Sequence, residues 1–139
     1  MSLSIRNQLP GTVTSVTPGE VMATVKVRLD AGQEITAAVT LEAVQELGLT
    51  PGSAVRALIK STEVSLATGP VDGLSIRNRL PGTVTDIASG GAMARVKIRV
   101  AGGELTSAIT GDAVSDLGLA AGSEVVALIK STEVSLANA

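Results

Sequence analysis

Residues 21–29 read VMATVKVRL, a stretch in which apolar and polar side chains alternate. This period of two is typical of a β-strand that buries one of its faces. The predicted buried face consists of Val21, Ala23, Val25, Val27 and Leu29. The predicted outer face consists of Met22, Thr24, Lys26 and Arg28. The stretch therefore predicts a half-buried strand in a sheet that faces a core on one side only.

The same pattern returns 71 positions later, where residues 92–100 read AMARVKIRV. LSIRNQLPGTVT at 3–14 recurs as LSIRNRLPGTVT at 74–85, with Arg79 in place of Gln8. ALIKSTEVSLA occurs unchanged at 57–67 and 127–137. Two copies are too few for a solenoid, so the repeat predicts two like domains. The predicted boundaries are 1–68 for the first domain, 69–73 for a Gly/Pro-containing linker, and 74–139 for the second.

The remaining segments of each repeat predict further strands and one short helix. EITAAVT predicts a third strand, and TLEAVQELGL changes to a helical period, with Thr40 as the N-cap and Gly48 at the end. AVRALIK and TEVSLAT predict two final strands. The resulting order, β-β-β-α-β-β, predicts an all-β fold class with one helix per repeat. Its architecture would be a tandem of OB-like five-stranded barrels.

Composition excludes several functional classes. The 139 residues include no cysteine, histidine or aromatic residue, which removes the imidazole base, the thiolate nucleophile and the ordinary zinc site. A net charge of −2 and the absence of aromatic stacking platforms argue against nucleic-acid binding. No stretch approaches the roughly 20 apolar residues of a membrane span. The expectation is a non-catalytic, soluble, cytoplasmic protein.

The core must be built from Val, Leu, Ile, Ala and Met, because these are the large apolar residues present. They bury less area per residue than aromatic side chains, so one repeat of ~65 residues would be marginally stable alone. We therefore expect the protein to gain stability by forming oligomers.

Polar residues in each repeat could form a site for a small oxyanion. Ser4 and Arg6 alternate on an extended segment, Thr40 begins the helix, and Lys60 and Ser61 end the fourth strand. Brought together, they would supply two positive charges and several hydroxyl donors. The second repeat carries the same set as Ser75, Arg77, Thr110, Lys130 and Ser131.

Simpler interpretations of these residues stay open at this level. Thr40 and Thr110 would serve equally well as plain helix caps, Arg6 and Lys60 as solvated charges, and Asn7 as a residue that shapes the backbone. Glu42 must point away from any anion bound beside Thr40, and an inward-pointing Glu42 would contradict the oxyanion site.

Each repeat resembles a molbindin, or Mop domain, of the TOBE superfamily. The resemblance rests on SIRN, GTV, VMA with VKV, AAVT before the helix, and LIKSTEV near the end, and it covers nearly the whole chain. Two copies resemble the tandem, di-Mop form of the cytoplasmic molybdate-binding proteins. The resemblance implies an OB-like fold that binds molybdate or tungstate between subunits.

The resemblance also implies a set of ligand-binding residues. In this chain they are Ser4, Arg6, Thr40, Ala43, Lys60, Ser61, Ser75, Arg77, Thr110, Ala113, Lys130 and Ser131. Some members have serine where Ala43 and Ala113 stand, so these two could offer only a backbone N–H. A second class of anion site lies near a three-fold axis in the family, and Gly19 and Gly90 are the candidates for it here. The resemblance implies no catalytic residue, no catalytic cofactor and no directly ligated metal cation.

The resemblance implies intracellular storage of molybdate and tungstate. It also implies a homotrimer with six domains, because the single-domain molbindins assemble as hexamers. The alternative is a molybdate-sensing module that acts on a separate partner protein. Arg79, Arg95 and the absence of a counterpart to Asp30 make the second repeat more basic, which predicts that the sites of the two repeats differ in affinity.

Overall fold

The computed structural model describes all 139 residues and shows a mainly β protein with one short helix in each repeat. The first repeat contains β1 (Asn7–Pro18), β2 (Met22–Leu29), β3 (Glu34–Thr40), α1 (Leu41–Leu47), β4 (Ala54–Ile59) and β5 (Ser65–Ala67). The second contains β6 (Asn78–Ser89), β7 (Met93–Val100), β8 (Gly103–Thr110), α2 (Gly111–Leu117), β9 (Glu124–Ile129) and β10 (Ser135–Asn138). A single 3-10 turn, Ser61–Glu63 or Ser131–Glu133, precedes the last strand of each repeat. The predicted order of elements is confirmed.

The strands form two antiparallel five-stranded sheets, and each sheet takes its last strand from the other repeat. The orders are β10-β4-β1-β2-β3 and β5-β9-β6-β7-β8. Leu136 in β10 pairs with Ala57 in β4, and Leu66 in β5 pairs with Ala127 in β9. The predicted fold class is confirmed as two curled five-stranded sheets. The boundaries 1–68, 69–73 and 74–139 remain a prediction about the sequence repeats, because both sheets combine strands from the two sides of the linker.

The first strand of each repeat is long and curved because it belongs to both halves of its sheet. Residues 7–12 of β1 pair with β4 and residues 11–18 pair with β2, with a register shift between Val13 and Ser15. A Cβ on Gly11 would lie only 2.6 Å from the carbonyl oxygen of Arg28. Gly11 therefore permits the close approach of β2 where the sheet bends.

The alternating stretch that predicted β2 is confirmed with one correction. Ala23, Val25, Val27 and Leu29 are buried, but Val21 is 72% exposed. The strand begins at Met22, so Val21 lies in the preceding turn and its side chain is not on the buried face.

The helix boundaries follow the predicted caps. The Thr40 side chain accepts a hydrogen bond from the Ala43 N–H, and Gly48 ends α1 in the left-handed conformation at φ 63°. A residue with a Cβ is strained in this conformation, which explains glycine at that position.

Both repeats contribute to a single hydrophobic cluster. Two asparagines from the SIRN segments join the repeats above this core, and each is only 2% exposed. Asn7 bonds the backbone of Thr106 in β8, and Asn78 bonds the backbone of Thr36 in β3. The repeats are therefore packed as one body rather than as two independent units.

Candidate functional site

Four of the predicted site residues in each repeat lie together. Ser4, Arg6, Lys60 and Ser61 line one open depression of about 220 Å³. They converge because Asn7 pairs with Ile59, so that the residues before β1 and those after β4 continue side by side. The second repeat forms a depression of about 210 Å³ in the same way, lined by Ser75, Arg77, Lys130 and Ser131.

The donors in these depressions are only partly engaged within the protein. Arg6 donates from Nε to the Ser4 carbonyl at 3.1 Å and from Nη2 to the Leu3 carbonyl at 3.3 Å. These bonds fold its guanidinium back onto the chain that carries it. The Ser61 hydroxyl is buried but has no hydrogen-bond partner. No carboxylate lines either depression, so the electrostatics favour an anion.

Thr40 lies elsewhere, in a second depression of about 410 Å³ at the start of α1. The residues that line it are Glu20, Val21, Thr40, Leu41, Glu42 and Gln45. Glu42 and Glu20 both line this depression. The direction of the Glu42 carboxylate relative to a bound anion stays a prediction. Two carboxylates beside Thr40 oppose anion binding there within a single chain.

The hydroxyls of Thr40 and Thr110 serve as helix N-caps. Thr40 Oγ1 accepts from the Ala43 N–H at 3.1 Å, and Thr110 Oγ1 accepts from the Ala113 N–H at 3.1 Å. The N–H groups of Ala43 and Ala113 therefore already donate hydrogen bonds to the capping threonines. Each threonine hydroxyl keeps its own proton, which it can still donate outward.

One chain therefore holds two separate groups of predicted site residues per repeat. We name the depression with Ser4, Arg6, Lys60 and Ser61, and its counterpart in the second repeat, the basic half-sites. We name the surfaces around Thr40 and around Thr110 the threonine half-sites. The depressions around Thr40, around Arg6 and around Arg77 each contain only one of the two kinds.

The candidates for a second class of anion site have their amides engaged. The Gly19 N–H donates to the Met22 carbonyl and the Gly90 N–H to the Met93 carbonyl, both at 2.8 Å. These bonds close the β1–β2 and β6–β7 turns. A role for Gly19 and Gly90 in anion binding stays a prediction. An anion bound there would have to be held by hydrogen-bond donors other than these two N–H groups.

The extra positive charges of the second repeat do not reach its basic half-site. Arg79 donates to the carbonyls of Val71, Leu74 and Ile76 at 2.8–3.0 Å and holds the linker. Arg95 lies 3.7 Å from the Asp86 carboxylate across β6 and β7. Neither lines the depression around Arg77, so the predicted difference in affinity does not follow from these two residues.

A different charge distinguishes the repeats. Glu20 beside Thr40 has glycine, Gly91, as its counterpart, whereas Glu42 is matched by Asp112. The threonine half-site of the first repeat is therefore the more acidic of the two.

The structure holds no cluster of three or more acidic side chains arranged to bind a metal cation. None of its helices has the length and apolar character needed to cross a lipid bilayer.

Comparisons with known proteins agree with the repeat pattern. The TOBE domain family matches residues 3–66 and 74–136. The molybdenum transport protein ModE of Azotobacter vinelandii is 41% identical over 138 residues, which are 99% of this chain and 51% of that protein. The molybdenum-pterin-binding protein MopB of Rhodobacter capsulatus is 41% identical over 136 residues, 96% of this chain and 50% of that protein. The chain thus spans about half the length of these relatives.

A solved structure matches the whole fold. The cytoplasmic molybdate-binding protein ModG, with molybdate bound, superimposes with a TM-score of 0.97 at 40% identity, and the match covers 100% of both chains. The fold in which the last strands are exchanged is therefore shared with an experimental structure along the whole length of the chain.

Proposed function

The chain belongs to the TOBE domain family, and from this we propose that it binds molybdate, and tungstate by the same geometry, as an intracellular store without catalytic activity. The observation that carries the proposal is the convergence of Ser4, Arg6, Lys60 and Ser61 in one carboxylate-free depression, repeated around Arg77. Names of relatives that refer to molybdenum or molybdate support the choice of anion.

The chemistry of the basic half-site suits a tetrahedral dianion. Arg and Lys supply two positive charges, and serine hydroxyls supply directed donors. Charge-assisted hydrogen bonds contribute about 1.5–3 kcal/mol each before desolvation is deducted. Four or five of them support micromolar binding, about −8 kcal/mol. The buried, unpartnered Ser61 hydroxyl is one such donor, since an oxyanion would satisfy it.

A second chain would complete each site by bringing a threonine half-site over a basic half-site. Exposed apolar side chains beside the threonines support this arrangement, because they favour burial against a neighbour. Met22, 45% exposed, pairs with Thr40, and Met93, 46% exposed, pairs with Thr110. Val21, which lines the same depression as Thr40, is 72% exposed. The assembly in this proposal is a cytoplasmic homotrimer of six repeats.

The experiment is native mass spectrometry with isothermal titration of molybdate, tungstate and sulfate. We expect a trimer that takes up several molybdates and does not take up sulfate. Arg77→Gln should lower molybdate affinity at its sites by about 10- to 100-fold, the effect of losing one charge-assisted bond. Arg28→Gln, on the exposed face of β2, is the matched control and should change nothing. A monomer without molybdate uptake, or equal effects of the two substitutions, would refute the proposal.

A further inference from the structure

The arginines of the two basic half-sites are held differently, although the segments that carry them are nearly identical. In the first repeat, Arg6 donates to the Ser4 carbonyl at 3.1 Å and to the Leu3 carbonyl at 3.3 Å. The backbone also bends at Ser4 and Arg6, whereas residues 74–77 contain no bend. Arg77 forms neither of the matching bonds, and its guanidinium is directly available to an anion. The guanidinium of Arg6 first has to be released.

Arg79 occupies a carbonyl that Arg77 would need in order to fold back in the same way. Arg79 donates from Nη2 to the Leu74 carbonyl at 2.8 Å, and Leu74 matches Leu3 of the first repeat. A second guanidinium at this carbonyl would bring two positive charges side by side, which is unfavourable. Arg79 does not line the depression around Arg77. Its effect on a bound anion is therefore exerted through the position of Arg77 rather than through its own charge.

Gln8 stands at the position of Arg79 in the first repeat. Its Nε2 donates to the Ile5 carbonyl at 3.1 Å, and Arg79 Nε makes the matching bond at 3.0 Å. Glutamine has a single donor nitrogen, whereas arginine has three nitrogens in a fixed fork that can reach several carbonyls. Because the Gln8 nitrogen is engaged at Ile5, the Leu3 carbonyl stays free to accept from Arg6.

A second difference between the repeats accompanies this one. Gln8 Oε1 accepts from Arg56 Nη1 at 3.1 Å, and Val126 stands at the position of Arg56 in the second repeat. An arginine at position 8 would meet the like charge of Arg56, whereas Arg79 has valine at the corresponding place. Each repeat thus carries one arginine of this pair, but at a different one of the two positions.

We propose that Arg79 is a positioning residue that keeps Arg77 free for the anion. Where Gln8 takes its place, Arg6 folds back and the sites that use Arg6 bind more weakly. This inference rests on the proposed function, in which both arginines contact molybdate. The affinity of a site falls in proportion to the fraction of time for which it is competent to bind, so an Arg6 that is free about one-fifth of the time binds about fivefold more weakly. Two strengths of site let one store fill over a wider range of molybdate concentration.

Double substitutions that move the arginine between the two positions test this proposal without changing the net charge. Arg6→Gln disables the basic half-site of the first repeat, so that calorimetric titration with molybdate reports the sites that use Arg77. In this background, Arg79→Gln/Val126→Arg should lower molybdate affinity about fivefold. Val126→Arg alone is the matched control and should not lower the affinity.

The reverse double substitution should raise affinity in the first repeat. In an Arg77→Gln background, the titration reports the sites that use Arg6. Gln8→Arg/Arg56→Val should raise molybdate affinity there about fivefold, and Arg56→Val alone should not raise it. A loosened linker would explain a loss in the second repeat but not this gain in the first. Each comparison stays within one class of site, so the unequal threonine half-sites do not contribute to it.

A measurement without molybdate tests the hydrogen bonds themselves. Hydrogen exchange of the arginine Nε–H groups, followed by NMR, should be slower for Arg6 than for Arg77 in the unmodified protein. Equal exchange rates would overturn the proposal, and so would molybdate affinities that neither double substitution changes. If one double variant does not fold, the other decides. If no chain takes up molybdate, the proposed function fails, and the exchange rates still decide whether Arg79 keeps Arg77 free.

Discussion

The Asn78 side-chain amide pairs with the backbone of Thr36, which lies 42 residues earlier in the chain, as an adjacent strand would. Its Oδ1 accepts from the Thr36 N–H at 2.8 Å, and its Nδ2 donates to the Thr36 carbonyl at 2.9 Å. Asn7 makes the same pair of bonds to Thr106, both at 2.8 Å. Asparagine can do this because its amide carries one acceptor and two donors in a plane, like a peptide group. The last residue of each SIRN segment therefore joins the two repeats.

Replacing this clamp should destabilise the whole protein. Asn78→Ala leaves the Thr36 N–H and carbonyl without partners in a part-buried site, and we expect a loss of about 2–4 kcal/mol in the free energy of unfolding. Urea unfolding followed by circular dichroism measures it. Asn138→Ala, at an exposed position near the C-terminus, is the control and should cost well under ~1 kcal/mol. Similar losses in both variants would contradict a specific role for the clamp.

The hydrogen bond between Ser107 and Val64 allows a reciprocal test of strand exchange. Ser107 is fully buried and donates to the Val64 carbonyl at the entry to β5. Ser107→Ala should lower the free energy of unfolding by about 1 kcal/mol and increase hydrogen exchange in β5. The counterpart Ala37 is also fully buried, so Ala37→Ser tests whether a hydroxyl can form the same bond to Val134. An Ala37→Ser variant that is more stable than the unmodified protein would show that the new hydroxyl forms this bond. If Ser107→Ala leaves the rate of hydrogen exchange in β5 unchanged, the Ser107 bond does not hold that strand in place.

Arg79 should protect the linker more than it stabilises the fold. It is exposed, and its three bonds go to the carbonyls of Val71, Leu74 and Ile76. Arg79→Gln restores the residue found in the first repeat and should accelerate proteolytic cleavage at 69–74, since a freed loop is the preferred cleavage site. The midpoint of thermal unfolding should hardly move. Arg99→Gln, exposed on β7, is the control. Equal cleavage rates for the two variants would contradict the protection of the linker by Arg79.

Glu42 tests whether the threonine half-site takes part in anion binding. If a second chain brings Thr40 over an anion, Glu42→Gln removes a nearby like charge and should tighten molybdate binding by roughly 3- to 10-fold at low salt. Glu20→Gln should act in the same direction at the same sites. The measurement is isothermal titration at two salt concentrations, because the gain should shrink as salt screens the charge. Affinity that is unchanged in both variants would exclude the Thr40 surface from the site.

Several features were predictable from local sequence. Thr40 and Gly48 mark the ends of α1 because capping depends on residues within one turn of the helix. The alternation from Ala23 to Leu29 predicts the buried face of β2 because side-chain direction reverses at every residue of a strand. Val21 was misassigned because alternation alone does not locate the first hydrogen-bonded residue. The sequence allowed Asn7 to be interpreted as a residue that only shapes the local backbone. The signal for a wider role was that the same asparagine ends both copies of SIRN.

The sequence by itself determined the repeat, the order of elements, the helix caps, the apolar faces and the basic residues that converge after β4. All of these depend on short-range periodicity or on neighbouring strand ends. Only the tertiary structure decided that β5 and β10 change places, because ALIKSTEVSLA is identical in the two copies and does not select β4 or β9 as the partner of either last strand. It also decided that Thr40 lines a different depression from Arg6 and Lys60 within a chain, since two strands separate β3 from β4 in the sheet. The order of strands in a sheet is set by long-range pairing, which local sequence patterns do not specify.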